Sequence, residues 1–146
     1  MINIVTKYWV ILASKDHVKA GIVQGIAQAC HGKSSPLKRM KKGDLIVYYS
    51  GKQTMGKQDK CQEFTALGKV IDGEIYQFQV TEDFCPSRRN IEFSQCKDTS
   101  VLPLINDLDF IQNKKNWGSS FRYGFFEINQ HDFDLISSQM LQHHYA

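Results

Sequence analysis

Between residues 45 and 93, four short runs of strand-forming residues follow one another across turns, and this narrows the possible folds more than any other feature. Leu45-Ile46-Val47-Tyr48-Tyr49 is an unbroken run rich in β-branched and aromatic residues, the pattern of a buried strand. Residues 64–71 form another such run, and Asp72-Gly73 follows as a turn signal. Tyr76-Gln77-Phe78-Gln79-Val80 alternates strictly, as does Arg89-Asn90-Ile91-Glu92-Phe93, which marks half-exposed strands. Consecutive strands joined by short turns predict an antiparallel sheet.

The flanking segments complete the outline. Tyr8-Trp9-Val10-Ile11-Leu12-Ala13 reads as a buried first strand. Ser14 or Asp16 can cap a helix whose apolar face is Val18, Ile22, Ile26 and Ala29, with a stop expected near Gly32. Ser35-Pro36 suits the start of a second short helix with Leu37 and Met40 turned inward. Pro103 opens a third, striped by Leu104, Ile105 and Leu108. Residues 124–128 give a last strand, and Asp132 can cap a closing helix striped by Phe133, Ile136 and Met140. The stretch 51–62 is polar and is expected to be a mobile loop. The expected class is α+β, mainly β, with about six strands and short peripheral helices; the long crossover before the last strand favours a closed or nearly closed barrel over an open sheet. At 146 residues the chain fits one domain, residues 1–146.

Charge is distributed unevenly. Residues 31–60 hold eight basic residues against two acidic, a net of +6, whereas residues 61–146 hold seven against twelve, a net of −5. A basic block beside an acidic remainder suggests a one-sided surface for a polyanion, although the overall charge of +3 is also that of a chain with a merely solvated basic loop. No apolar run approaches the ~20 residues of a membrane span, and no signal peptide is evident, so a cytoplasmic protein with no membrane contact is expected. Cys30, Cys61, Cys85 and Cys96 show no Cys-x-x-Cys spacing and are expected to be free thiols without metal.

Catalytic signatures are missing. The chain has no phosphate loop, no Gly-x-Ser-x-Gly elbow and no His-x-x-x-His pair. Asp107 and Asp109 lie two apart and do not face each other on a helix, and His143-His144 falls in the terminal tail. No cofactor is expected. Three clusters have the composition of a binding surface. Cys30-His31-Gly32-Lys33 is either a simple helix end or a phosphate- and base-contacting turn. Tyr48-Tyr49-Ser50 runs from a buried strand into the basic loop, so one tyrosine is core and the other can offer a stacking face. Trp117-Gly118-Ser119-Ser120-Phe121-Arg122-Tyr123-Gly124 mixes aromatic, small and basic residues, as a base-stacking pocket does, although a plain aromatic plug has the same composition.

The ordered set of motifs resembles the EVE domain family, small proteins of the PUA-like superfamily related to YTH domains. Tyr8-Trp9-Val10-Ile11, His31-Gly32-Lys33 with Pro36-Leu37, and Lys42-Gly43-Asp44 leading into Tyr48-Tyr49-Ser50 carry the first half. Residues 64–70, Pro103-Leu104-Ile105 through Leu108-Asp109-Phe110-Ile111, Trp117-Gly118 with Phe121-Arg122 and Gly124, and Asp132-Phe133 carry the rest. The resemblance implies a PUA-like β-barrel that holds a flipped, modified base of DNA or RNA, without catalysis. It implies a base pocket drawn from Ser14, Cys30, His31, Tyr49, Ser50, Phe84 and Trp117, with Lys33, Arg88 and Arg122 serving phosphate. Ser14, His31, Lys33, Tyr49, Ser50, Trp117 and Arg122 are expected on one concavity of a monomer. Two alternatives are a hydrolase of acylated nucleosides, similar to PUA-like proteins of the ASCH type, and a protein-interaction module with a vestigial pocket.

Overall fold

The apolar run near the N-terminus becomes the centre of the sheet. In the computed structural model, which describes residues 5–28, 37–71 and 75–141, strand β1 (Tyr8–Leu12) lies between β3 (Leu45–Lys52), to which it is parallel, and β8 (Phe125–Ile128), to which it is antiparallel. β3 turns back into β4 (Lys60–Val70), β4 pairs with β6 (Ser87–Ser94), and β6 pairs with the short β2 (Ile26–Ala27). The sheet order is therefore β2-β6-β4-β3-β1-β8, a path with an end at each side. Two further short strands pair beside it, β5 (Tyr76–Gln77) on β6 and β7 (Thr99–Ser100) on β4. The result is a mainly β, curled half-barrel of six principal strands with two long α-helices among the described residues, α1 (Lys15–Gln24) and α2 (Gln130–Met140).

The unbroken apolar runs of β1 and β3 follow from burial on both faces. Alternate residues of a strand point to opposite sides. Val10, Val47 and Tyr49 enter a core shared with Leu104, Leu108, Ile111, Phe121 and the α2 stripe Phe133, Ile136 and Met140. Trp9, Ile11, Ile46 and Tyr48 enter a second core with Val18 of α1, Leu37, Met40, Ile91 and Phe125. Buried polar groups fix the frame. Asp44 accepts hydrogen bonds from Trp9 Nε1 (2.9 Å), from the Lys7 amide (3.1 Å) and from the Lys41 amide (2.9 Å). Arg89, buried in β6, donates Nη1 to the carbonyls of Leu37 (2.8 Å) and Met40 (2.7 Å), tying that segment to the sheet.

Four expectations need correction. α1 ends at Gln24 rather than near Gly32, because Gly25 takes the left-handed conformation (φ 70°) and its amide closes on the carbonyls of Gly21 and Ile22. Ile26 is consequently a strand residue facing β6 rather than part of a helical stripe. The α2 cap is Asn129, whose side chain accepts from the Asp132 amide (2.8 Å), and Asp132 is freed for another role. The alternating run 76–80 pairs only at Tyr76 and Gln77; Phe78 and Val80 continue as an arm whose amides reach Pro86 and Phe84 carbonyls. Residues 51–62 are largely a hairpin rather than a loop, with Lys52 paired opposite Lys60. Cys61, Cys85 and Cys96 are free thiols, while Cys30, His143 and His144 lie outside the described residues. No helix among the described residues is long and apolar enough to cross a membrane.

Candidate functional site

The strand-to-helix turn after β1 opens a cavity of about 560 Å³. Leu12, Ala13 and Ser14 form one wall as β1 runs out, and His17, Ala20, Gly21 and Gln24 form the next along α1. Ile26 and Gln28 close it from β2, and Tyr48 closes it from β3. Gly124, Met55 of the β3–β4 hairpin, and Val80, Phe84 and Arg88 around the β5–β6 arm complete the lining. Met55, Val80 and Phe84 are each 40–51% exposed, so the mouth is rimmed with apolar groups open to solvent. The size lies within the roughly 300–1,000 Å³ of small-molecule pockets, and so does the makeup: apolar walls with a few placed polar groups.

Those polar groups are held by named partners. The Tyr48 hydroxyl donates to the Gln28 carbonyl (3.4 Å), and its complete burial pushes the phenol far above its usual range, so it stays a neutral donor. The Gln28 side-chain oxygen accepts from Arg88 Nε (2.6 Å), and the Arg88 guanidinium lies 4.3 Å from the Phe78 ring centroid. Arg88 is thus a buried wall residue, clamped between a glutamine and an aromatic face. Ser14 Oγ donates to Asp16 Oδ1, which holds the Asp16 carboxyl below its usual range together with the Met55 and His17 amides. The Asp16 amide in turn donates to the Gln53 carbonyl (3.0 Å), so the start of α1 and the hairpin carrying Met55 are joined at two points.

The predicted site residues divide. Ser14, Phe84 and Arg88 line the cavity. Tyr49 does not; its ring stacks on Phe121 in the core at 3.9 Å and 15°. Ser50 is buried and bonded to Thr65 Oγ1 at 2.8 Å. Trp117 packs half-buried against the Phe121 edge, the aromatic plug rather than a stacking platform. Arg122 is exposed and does not line the cavity, and Cys30, His31 and Lys33 lie outside the described residues. The expectation of a single concavity therefore fails for Tyr49, Ser50, Trp117 and Arg122: strand alternation sends Tyr49 to the core opposite Tyr48. That same alternation was the available signal for choosing between the two tyrosines. His17, Gln24, Gln28 and Met55 carried no sequence signal: the turn at Gly25 brings Gln28 back beside α1, and the Asp16 carboxylate holds the hairpin that carries Met55.

Asp109, His131 and Asp132 bring three possible metal-ligand atoms within 4.8 Å of one another. Their arrangement has a structural cause. The buried Asp132 carboxylate accepts the amides of Asp109 (2.8 Å) and Phe110 (2.9 Å), docking α2 onto the preceding segment. His131 Nδ1 lies 2.9 Å from Asp132 Oδ1 and 3.3 Å from Asp109 Oδ2, which raises its pKa.

Residues 7–139 match the EVE domain model. The chain belongs to the EVE domain family. Its relatives include a UPF0310 protein from Bacillus licheniformis, 49% identical over 88% of both chains, and UPF0310 protein YdcG from Bacillus subtilis, 39% identical over 92% of both. Solved structures with the same fold include human THYN1 in complex with 5-methylcytosine-containing DNA (TM-score 0.53, 16% identity, 91% of this chain and 96% of that one). The YTH domain of Zygosaccharomyces rouxii MRB1, solved with N6-methyladenosine RNA, is another (TM-score 0.60, 12% identity, 97% and 92%). At these identities the likeness establishes the EVE domain's fold.

Proposed function

We propose that this EVE domain is a non-enzymatic nucleic-acid-binding module that takes a flipped, modified base into the cavity beside α1. The observation that carries the reading is the cavity itself: apolar walls from Leu12, Ile26, Val80 and Phe84, interrupted by Ser14, Gln28, Tyr48 and Arg88. Two of the fold neighbours were solved holding methylated nucleic acid, which supports the same reading. Extruding a base costs a few kcal/mol, least from a single strand, and an aromatic stack returns ~1–3 kcal/mol per base. A methylated base of this kind is uncharged, so shape and stacking decide selectivity. Phe84 offers the accessible ring at the mouth, and the Tyr48 hydroxyl, whose proton goes to the Gln28 carbonyl, has its oxygen left to accept from a base. Outside the described residues, the family resemblance assigns Cys30 and His31 to the base and Lys33 to phosphate, together with the exposed Arg122.

An acyl-nucleoside hydrolase of the ASCH type would use a carboxylate base, and among the described residues that line the cavity none is acidic. A calorimetric panel of modified and unmodified nucleosides and short strands tests the proposal. Preferential binding of one modified base without product by mass spectrometry is the expected result. Turnover of acetylated cytidine, or no binding by any member, would overturn it.

A further inference from the structure

The hairpin at the cavity mouth carries three lysines that the fold leaves without an anionic partner. Lys52 ends β3 and Lys60 opens β4, and the two are direct cross-strand partners. Like charges set opposite each other repel. Lys57 lies in the connecting turn. The neighbouring acid, Asp59, is occupied: its carboxylate accepts the Thr54 amide (3.2 Å) and the Thr54 hydroxyl (3.0 Å). Among the described residues the ion-paired lysines are Lys7, Lys15 and Lys19. Lys15 and Lys19 each reach Asp98 at 2.8 Å, so basic residues of α1 are neutralised while those of the hairpin are not.

The hairpin is also held in place. The Asp16 carboxylate accepts the Met55 amide at 3.3 Å, and the Asp16 amide donates to Gln53. A register shift between Ser50 and Lys52 bends the strands just before this point. Met55, between the lysines, forms part of the cavity wall. The unneutralised charge is therefore carried by a hairpin whose main chain is tied to α1 and whose Met55 lines the cavity.

We propose that Lys52, Lys57 and Lys60 clamp the phosphates of a single strand whose extruded base occupies the cavity. This rests on the function proposed above. A phosphate between Lys52 and Lys60 converts a repulsive pair into a bridged one, on the hairpin whose Met55 lines the same cavity as Phe84. The clamp reads no sequence; it sets affinity and salt dependence.

The test compares the wild type with the full-length triple variant K52Q/K57Q/K60Q. The probes are single strands containing 5-methylcytosine (DNA) or N6-methyladenosine (RNA), their unmodified counterparts, and the free modified nucleosides. For single strands each neutralised phosphate contributes about 0.7 to the slope of log K against log salt, so the triple variant is expected to lose about 2 of slope. At low salt its affinity for strands falls at least tenfold, its nucleoside binding is unchanged, and its melting temperature is no lower than the wild type's. Unchanged strand affinity and slope in the variant would overturn the clamp and leave the base pocket standing. Lysine-dependent strand binding without any preference for a modified base, and without nucleoside binding, would support the clamp and overturn the pocket. Failure of the wild type to bind any strand at low salt would overturn the clamp. Equal competition by polyglutamate with the same salt slope would overturn it too, in favour of an acidic protein surface.

Discussion

At the scale of single residues, close approach dictates identity most sharply at Gly68. A Cβ there would lie 2.5 Å from Ile91 Cγ2 and 3.2 Å from the Glu92 carbonyl, inside the β4–β6 pairing. Gly68→Ala is expected to destabilise the protein by about 1–3 kcal/mol, the range for overpacking, measured by urea unfolding. Trp117 and Phe84 make a contrasting pair. Trp117 packs on Phe121 and the first core, whereas Phe84 stands at the cavity mouth. Trp117→Ala should cost about 2 kcal/mol of stability, below the 3–5 kcal/mol of a fully buried aromatic, and leave nucleoside affinity unchanged. Phe84→Ala should do the reverse and weaken base binding by about 1–3 kcal/mol. Loss of affinity in Trp117→Ala at unchanged stability would return Trp117 to the site.

Two contacts between elements can be tested by their response to pH and exchange. His131 sits at the start of α2 against Asp132 and Asp109, and the hydrogen bond to Asp132 raises its pKa above 6.5. A raised folded pKa stabilises the protein fully below the unfolded value, and the contribution is lost as pH rises through the folded value. The melting temperature should therefore fall between pH 6 and pH 8, and His131→Asn should flatten that slope. High salt should shrink the effect, since the ring is exposed. The second contact is the Asp16 carboxylate, which holds the Met55 amide. Asp16→Ala should speed amide exchange at Met55 and its neighbours while leaving β1 protected. Element by element, the sequence was legible where burial is two-sided or strictly alternating. β1, β3, β4 and β6 stand where their patterns put them, as do the inward Leu37, Met40, Phe133 and Ile136. It misled where a backbone event overrode periodicity. Gly25 cuts the stripe Val18-Ile22-Ile26, and the polar content of residues 51–62 concealed a hairpin stitched by main-chain bonds and Asp16. The cavity was legible through Ser14 and Phe84; Arg88, read as a phosphate contact, is instead a buried wall residue clamped by Gln28 and Phe78, and Gln28 was illegible because its place depends on that same turn.

Across the whole molecule, the cavity exists because four distant segments meet where β1 ends: the α1 start, β2, the β3 strand and the β5–β6 arm. β1 itself is flanked by partners from opposite parts of the chain, with Tyr8 facing Leu45 on one side and Ile128 on the other. A truncation ending before Phe125 removes β8 and α2, and with them Ile128, Phe133, Ile136 and Met140 of the first core. It should fail to give a cooperative melt. This arrangement also orders events in time. Contacts between residues far apart in sequence slow folding, because the intervening loop must close first. As the chain leaves the ribosome, β1 emerges well before its partner β8, with most of the domain between them. One edge of the central strand, with Trp9, Val10 and Ile11, therefore stays unpaired until β8 has been made. Nascent chains stalled before Phe125 should be protease-sensitive and chaperone-bound, and should become resistant only once α2 has cleared the exit tunnel.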